Sequence, residues 1–277
     1  MQTTPLILIA WAAFGAAFGS FGNVVVWRFP RGESLNAPAS SCPVCGHPIR
    51  WYDNVPIVSW VALGARCRDC GTRISVRYPV VEALSAAAFV AAAVRFAGRP
   101  ATAVVAAAFL WTLLVLSFID LDTMRLPNGI VGALAGAGAA GALASQVTGV
   151  EIVPIGWHGT GALGGPVAAA LLGATLGAGP AWAIGWAYEA VRKREGLGFG
   201  DVKLLAAMGV FLGPYVAVAF VAGTVLALAG RLFGAAAGKR ALAERAPFGP
   251  YLAAGGAVAA LAGPELVGWY FRAVGMA

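Results

Sequence analysis

ATAVVAAAFLWTLLVLSFIDLDTMRLPN occupies residues 101–128. The stretch 101–119 carries no charge and has about the length an α-helix needs to cross a bilayer core of roughly 30 Å. It ends on Asp120 and Asp122, and Pro127 cannot continue a helix arriving from upstream, though it suits the start of the next one. The reading is a membrane span that delivers a carboxylate to its edge, then a short hairpin over 120–128 into a second span. Ionisable groups in such places are rare unless they face protein or a water-filled cavity, so the acid marks a functional site by default.

The rest of the chain agrees with a membrane reading. Of 277 residues 60% are hydrophobic and 11% charged, with mean hydropathy +0.79, which excludes an ordinary soluble domain. Hydropathy predicts spans over 6–27, 79–97, 101–119, 129–147, 161–188, 202–213, 215–233 and 248–270, of which 202–213 is short for a full crossing. The fold class expected is an all-α polytopic membrane protein of about eight transmembrane helices, with a small cytoplasmic zinc-ribbon-like loop domain. Its parts are a first transmembrane helix (1–27), a four-cysteine loop domain (28–78) and a transmembrane core (79–277). No Lys or Arg precedes the first span and Arg28 and Arg31 follow it, the reverse of a cleaved signal peptide. The positive-inside rule then places the N-terminus outside and 28–78 in the cytoplasm. Of 19 basic residues only Arg95, Arg99 and Arg272 fall outside in this topology. The net charge of +7 therefore reflects orientation in the lipid bilayer and not nucleic-acid binding.

All four cysteines lie in the first loop, as Cys42-Pro43-Val44-Cys45 and Cys67-Arg68-Asp69-Cys70. Two such knuckles, 21 residues apart, approach the zinc-ribbon interval of about 15–20. Four thiolates close a tetrahedral site with no open position, so the zinc expected here is structural. Two disulfides are the alternative, disfavoured in a reducing compartment. His47 is a possible replacement ligand and otherwise a polar surface residue. Trp51-Tyr52-Asp53-Asn54-Val55-Pro56 supplies aromatic body and a turn, but the loop is too small to fold without its metal staple.

A second acid sits at a second span edge, in Gly198-Phe199-Gly200-Asp201. On the topology above Asp120 and Asp201 share one depth at the cytoplasmic side. Two carboxylates brought within a few ångströms cannot both ionise. The ionised one can take a proton from water as that water attacks a peptide carbonyl, and the other donates to the oxyanion and the leaving amine. Gly198 and Gly200 are expected to allow positive φ and to leave room for a substrate strand beside the acid. The plainer reading of Gly198 to Asp201 is a helix boundary, with the aspartate as N-cap or dipole partner. A proton-coupled transporter using the same intramembrane aspartates is the rival function; it predicts acids at the bilayer midplane and an internal repeat.

Taken together the motifs resemble the type IV prepilin peptidases, bifunctional leader peptidases and N-methyltransferases among the GxGD-type membrane aspartic proteases. The resemblance runs from Gly19-Ser20-Phe21-Gly22-Asn23 through the Cys loop, Arg77-Tyr78-Pro79-Val80-Val81-Glu82, Ile119-Asp120 with Pro127, and Gly198 to Asp201, to Pro247-Phe248-Gly249-Pro250. It implies that Asp120 and Asp201 are the catalytic pair, while Asp122 stands at the wrong offset from Pro127. It implies cleavage of the basic leader of type IV prepilins or type II secretion pseudopilins after a glycine, at the cytoplasmic face of the bacterial inner membrane. It also implies methylation of the new N-terminus from S-adenosylmethionine, with the Trp51-Tyr52 stretch as a place for that cofactor. Lys203 is expected either near Asp201 or towards lipid headgroups. Glu82 and Glu189 meet the leader's basic charge, snorkel to the membrane surface, or pair with Arg77 and Arg192. Gly15 and Gly19 permit close approach of a substrate helix or of an internal one. Gly22 replaces a residue commonly bulkier in the family.

Overall fold

The computed structural model describes residues 4–153, 164–193, 196–236 and 246–276. Four basic residues of the orientation argument, Arg194, Lys239, Arg240 and Arg245, lie outside them, as do residues 161–163 of the expected fifth span. The described residues are helical apart from turns and two isolated β-bridges. The helices are α1 (Pro5–Arg28), α2 (Val58–Ala62), α3 (Arg77–Arg95), α4 (Pro100–Thr123), α5 (Asn128–Thr148), α6 (Gly165–Arg192), α7 (Phe199–Leu212), α8 (Val216–Ala236) and α9 (Gly249–Ala273). Among the described residues seven stretches are long and apolar enough to cross a membrane. One of them, Phe199–Ala236, holds both α7 and α8, which is why eight expected spans become seven by length and composition. At 14 residues α7 rises only about 21 Å, short of the roughly 30 Å core. Gly213, with φ 55 and ψ −142, and Pro214 break the run after it.

The chain forms two compact units, Met1–Val115 and Leu116–Ala277, with the boundary inside α4. In the first, α1 and α3 pack against each other through small residues. A Cβ on Gly15 would stand 2.8 Å from the Ala86 Cα, and one on Gly19 2.5 Å from the Glu82 Cα. The Gly15 and Gly19 face is therefore used internally, as close packing between apolar helices in lipid requires. Trp111 of α4 donates its indole N–H to the Phe18 carbonyl at 2.9 Å, and its ring nitrogen lies 3.2 Å from where a Gly22 Cβ would be. A bulkier residue at Gly22 would displace that indole.

In the second unit α7 is the buried centre: Leu204, Leu205, Met208 and Leu212 are fully enclosed. It contacts α5, α6 and α9. Gly173 of α6 and Gly209 of α7 lie backbone to backbone, and Gly138 of α5 receives the Phe211 ring. A helix wrapped by protein need not span the hydrocarbon to keep its backbone satisfied. The short span is thus a buried pedestal for the residues at its N-terminus.

Candidate active site and four-cysteine centre

Asp120 lies in the last turn of α4, which continues through Thr123, so the link to α5 is only residues 124–127 and not the whole of 120–128. Asp120 is buried and Asp122 exposed. Residues two apart on a helix point in different directions, which separates the two acids. The Oδ2 of Asp120 accepts the Gly249 N–H at 3.0 Å. That N–H opens α9, where the helix leaves its amides without intrahelical partners and its dipole favours a negative charge. A Cβ on Gly249 would sit 2.6 Å from the same oxygen, so only glycine brings its amide this close.

Asp201, half-buried, occupies the third position of α7, with Gly198 as the N-cap residue. The carboxylate is therefore no cap, though its place in the first turn suits the helix dipole. Asp201 and Asp120 are close enough to interact through their charges. The expectation of positive φ at the glycines is not met: Gly198 has φ −63 and ψ 137, and Gly200 lies within α7. Their smallness matters instead. A Cβ on Gly198 would stand 3.2 Å from the Asp201 Oδ2, and one on Gly200 3.4 Å from the Leu126 Cβ. Leu126 belongs to the turn after Asp120, so Gly200 lets the two acid-bearing segments close on each other. Pro127 is the N-cap residue of α5.

Lys203 donates to the Asn128 Oδ1 at 2.8 Å and lies 4.6 Å from the centre of the Phe199 ring. It is tied to the first residue of α5 rather than turned to Asp201. Glu82 is buried and accepts the Ile57 N–H at 2.7 Å, a backbone partner that was not among the alternatives weighed for it. Glu189 is exposed near the end of α6. The contribution of Gly249 was not foreseen. Its sign in the sequence is a glycine between Phe248 and Pro250 at a helix start, where the proline leaves one N–H fewer to orient.

The cysteines form two matching hairpins. Cys42 N–H donates to the His47 carbonyl and Gly46 N–H to the Cys42 carbonyl; Cys67 to Thr72 and Gly71 to Cys67 repeat the pattern. Gly46 and Gly71 have φ 71 and 70, the left-handed region that favours glycine. The four sulfurs lie within 4.8 Å of one another, unbridged, with Cys42 and Cys70 3.8 Å apart. A tetrahedron of Zn–S bonds near 2.3 Å has S···S edges of about 3.8 Å, so the donor set fits zinc. His47 is not among the clustered groups. As thiols alone the four cannot all ionise. The amide N–H groups of Cys45 and Val44 draw Cys42 down to about 7. Cys70, despite the N–H of Thr72, is pushed up to about 12 by burial and the thiols of Cys67, Cys45 and Cys42. A divalent cation supplies the charge that four thiolates need. Arg68 holds Asp53 by two bonds of 2.8 and 2.6 Å, and Arg50 holds Asp69 at 3.1 Å, tying the second knuckle to the Trp51–Asn54 turn.

Known proteins match most of the length of this chain. The bacterial peptidase A24 N-terminal domain matches residues 13–96, and the type IV leader peptidase family matches 107–234. The prepilin leader peptidase/N-methyltransferase of Aeromonas salmonicida is 34% identical over 94% of this chain and 92% of its own length. That of Aeromonas hydrophila is 36% identical over 93% and 91%. That of Pseudomonas putida is 34% identical over 96% and 94%. No solved structure matches.

Proposed function

The chain belongs to the type IV leader peptidase family, and on that premise we propose that it removes the leader of type IV prepilins or type II secretion pseudopilins with Asp120 and Asp201. The observation that carries the reading is the buried Asp120 carboxylate, oriented by the Gly249 N–H and within charge range of Asp201. The pair shares one proton. With Oδ2 of Asp120 engaged by Gly249, Oδ1 is the oxygen left to face a water. The ionised carboxylate takes a proton from that water as its oxygen bonds to the carbonyl carbon of the leader's last residue, a glycine. The protonated partner gives its proton to the developing oxyanion; the carboxyl that took the water's proton then passes it to the amine nitrogen as the C–N bond breaks, and the first donor recovers a proton from the gem-diol hydroxyl. The products are a leader carboxylate and a pilin with a free N-terminal amine.

The site faces the cytoplasm from the bacterial inner membrane, where the basic loops are retained. Cys42, Cys45, Cys67 and Cys70 hold a structural zinc in a loop domain over 28–78, which follows the first helix (1–27) and precedes the peptidase core (79–277). S-adenosylmethionine, when bound, supplies the methyl group for the new amine, as the names of the relatives imply. Trp51, exposed, stands edge to face with Tyr52 at 5.6 Å and offers a stacking ledge. That ledge fixes neither a ribose nor an amino-acid head. A transporter is not supported, because both acids lie at helix ends and the relatives are peptidases.

Co-expression with a prepilin and mass spectrometry of the mature N-terminus tests the reading; a shortened pilin one methyl group heavier is expected, and an intact leader contradicts it. Two further results are expected. Cys42→Ser lowers zinc content and loosens residues 40–75, read as faster proteolysis there, with a smaller effect on leader removal; full zinc content after both Cys pairs are replaced refutes the ligand assignment. Lys203→Leu and Asn128→Leu each lower kcat by up to about tenfold, and the double variant is no worse than either, because each breaks the same charge-assisted bond. Additive losses would place Lys203 in a separate role.

A further inference from the structure

Glu82 is a buried carboxylate on a membrane helix that the peptidase chemistry does not use. Such a group needs a partner, and its partner is a backbone amide from the loop: Ile57 donates to Oε2 at 2.7 Å. Ser20 on α1 lies beside it. Ile57 has φ 63 and ψ −50, a conformation in which a β-branched residue is strained. That strain persists only where the surroundings hold it. The neighbouring bonds lead from Ile57 back into the aromatic turn: Val55 N–H donates to the Ser59 hydroxyl at 3.0 Å, and that hydroxyl donates to the Tyr52 carbonyl at 2.9 Å.

We propose that Glu82 is the anchor that docks the four-cysteine loop on the α1 and α3 helix pair, holding Ile57 in its strained turn and so fixing where the Trp51-Tyr52 ledge stands. It is a positioning residue for the chemistry the loop hosts. The bond turns one carboxylate oxygen into the acceptor for an amide that would otherwise point at apolar helix surface. A charged acceptor makes that bond stronger than a neutral one. The anchor involves residues 20–82 alone, so it stands or falls separately from the assignment of the aspartate pair.

Hydrogen exchange on the full-length, zinc-loaded protein in lipid nanodiscs tests it. Glu82→Ala should speed exchange of the Ile57 amide by at least about tenfold with zinc content unchanged, and Glu82→Gln, whose amide oxygen still accepts, should restore most of the protection. Ile57→Gly relieves the strained φ and keeps the N–H, so its amide should stay protected while Glu82 is present and lose protection when Glu82→Ala is added. Unchanged exchange in Glu82→Ala overturns the proposal. So does loss of zinc in Glu82→Ala and Glu82→Gln alike, which would make Glu82 a requirement for folding the loop rather than for docking it.

Discussion

Asp120→Asn and Asp201→Asn each leave a co-expressed prepilin with its leader attached, while the protein still inserts and accumulates. Asparagine preserves size and, at Asp120, an oxygen that can accept the Gly249 N–H, so the fold of the second unit is retained. What is lost is the exchange of a proton. An amide neither takes the proton of the attacking water nor returns one to the leaving amine, and general acid–base catalysis is typically worth about 10²–10⁴ in rate. Since each acid serves both stages, the double variant should be no worse than either single one. Asp122→Asn is the control: exposed and two residues round the helix, it should leave cleavage intact. Immunoblots of the pilin, with enzyme levels measured in parallel, read the result.

Gly249→Ala is the second large effect expected. The added methyl would stand 2.6 Å from the Asp120 Oδ2, closer than real contacts allow, and 3.1 Å from its carboxyl carbon. The start of α9 or the carboxylate must move, and either motion breaks the bond that aims Asp120. A displacement of about 1 Å at a reacting group can cost about 10²-fold in rate. The loss should appear in kcat with KM little changed, because the methyl displaces the acid that makes the proton transfers. An undiminished kcat would mean that the Gly249 amide does not orient the catalytic carboxylate.

Hydropathy alone located the helices, because a bilayer leaves a span few alternatives. It did not explain the shortness of α7: that follows from α5, α6 and α9 enclosing it, which no local window contains. The choice of Asp120 over Asp122 rested on an offset from Pro127; burial and helix direction now give it a physical ground. Gly198 was expected for backbone freedom and serves by having no Cβ beside Asp201. The bonds made by Gly249 and Glu82 went unread for one reason. Each joins segments distant in sequence, 129 residues apart for Gly249 and Asp120 and 25 for Ile57 and Glu82. The four-cysteine centre was the most legible part, since its spacing encodes two local hairpins and each hairpin closes through its own backbone.

The central claim is that the aspartate pair activates water directly, with no covalent link to the leader. A single turnover in water enriched in oxygen-18, followed by mass spectrometry of both the leader and the enzyme peptides holding Asp120 and Asp201, tests it most directly. The account predicts one heavy oxygen in the terminal carboxylate of the leader and none in the enzyme; a heavy oxygen in either aspartate, with an unlabelled leader, would show that a carboxylate had attacked the peptide itself.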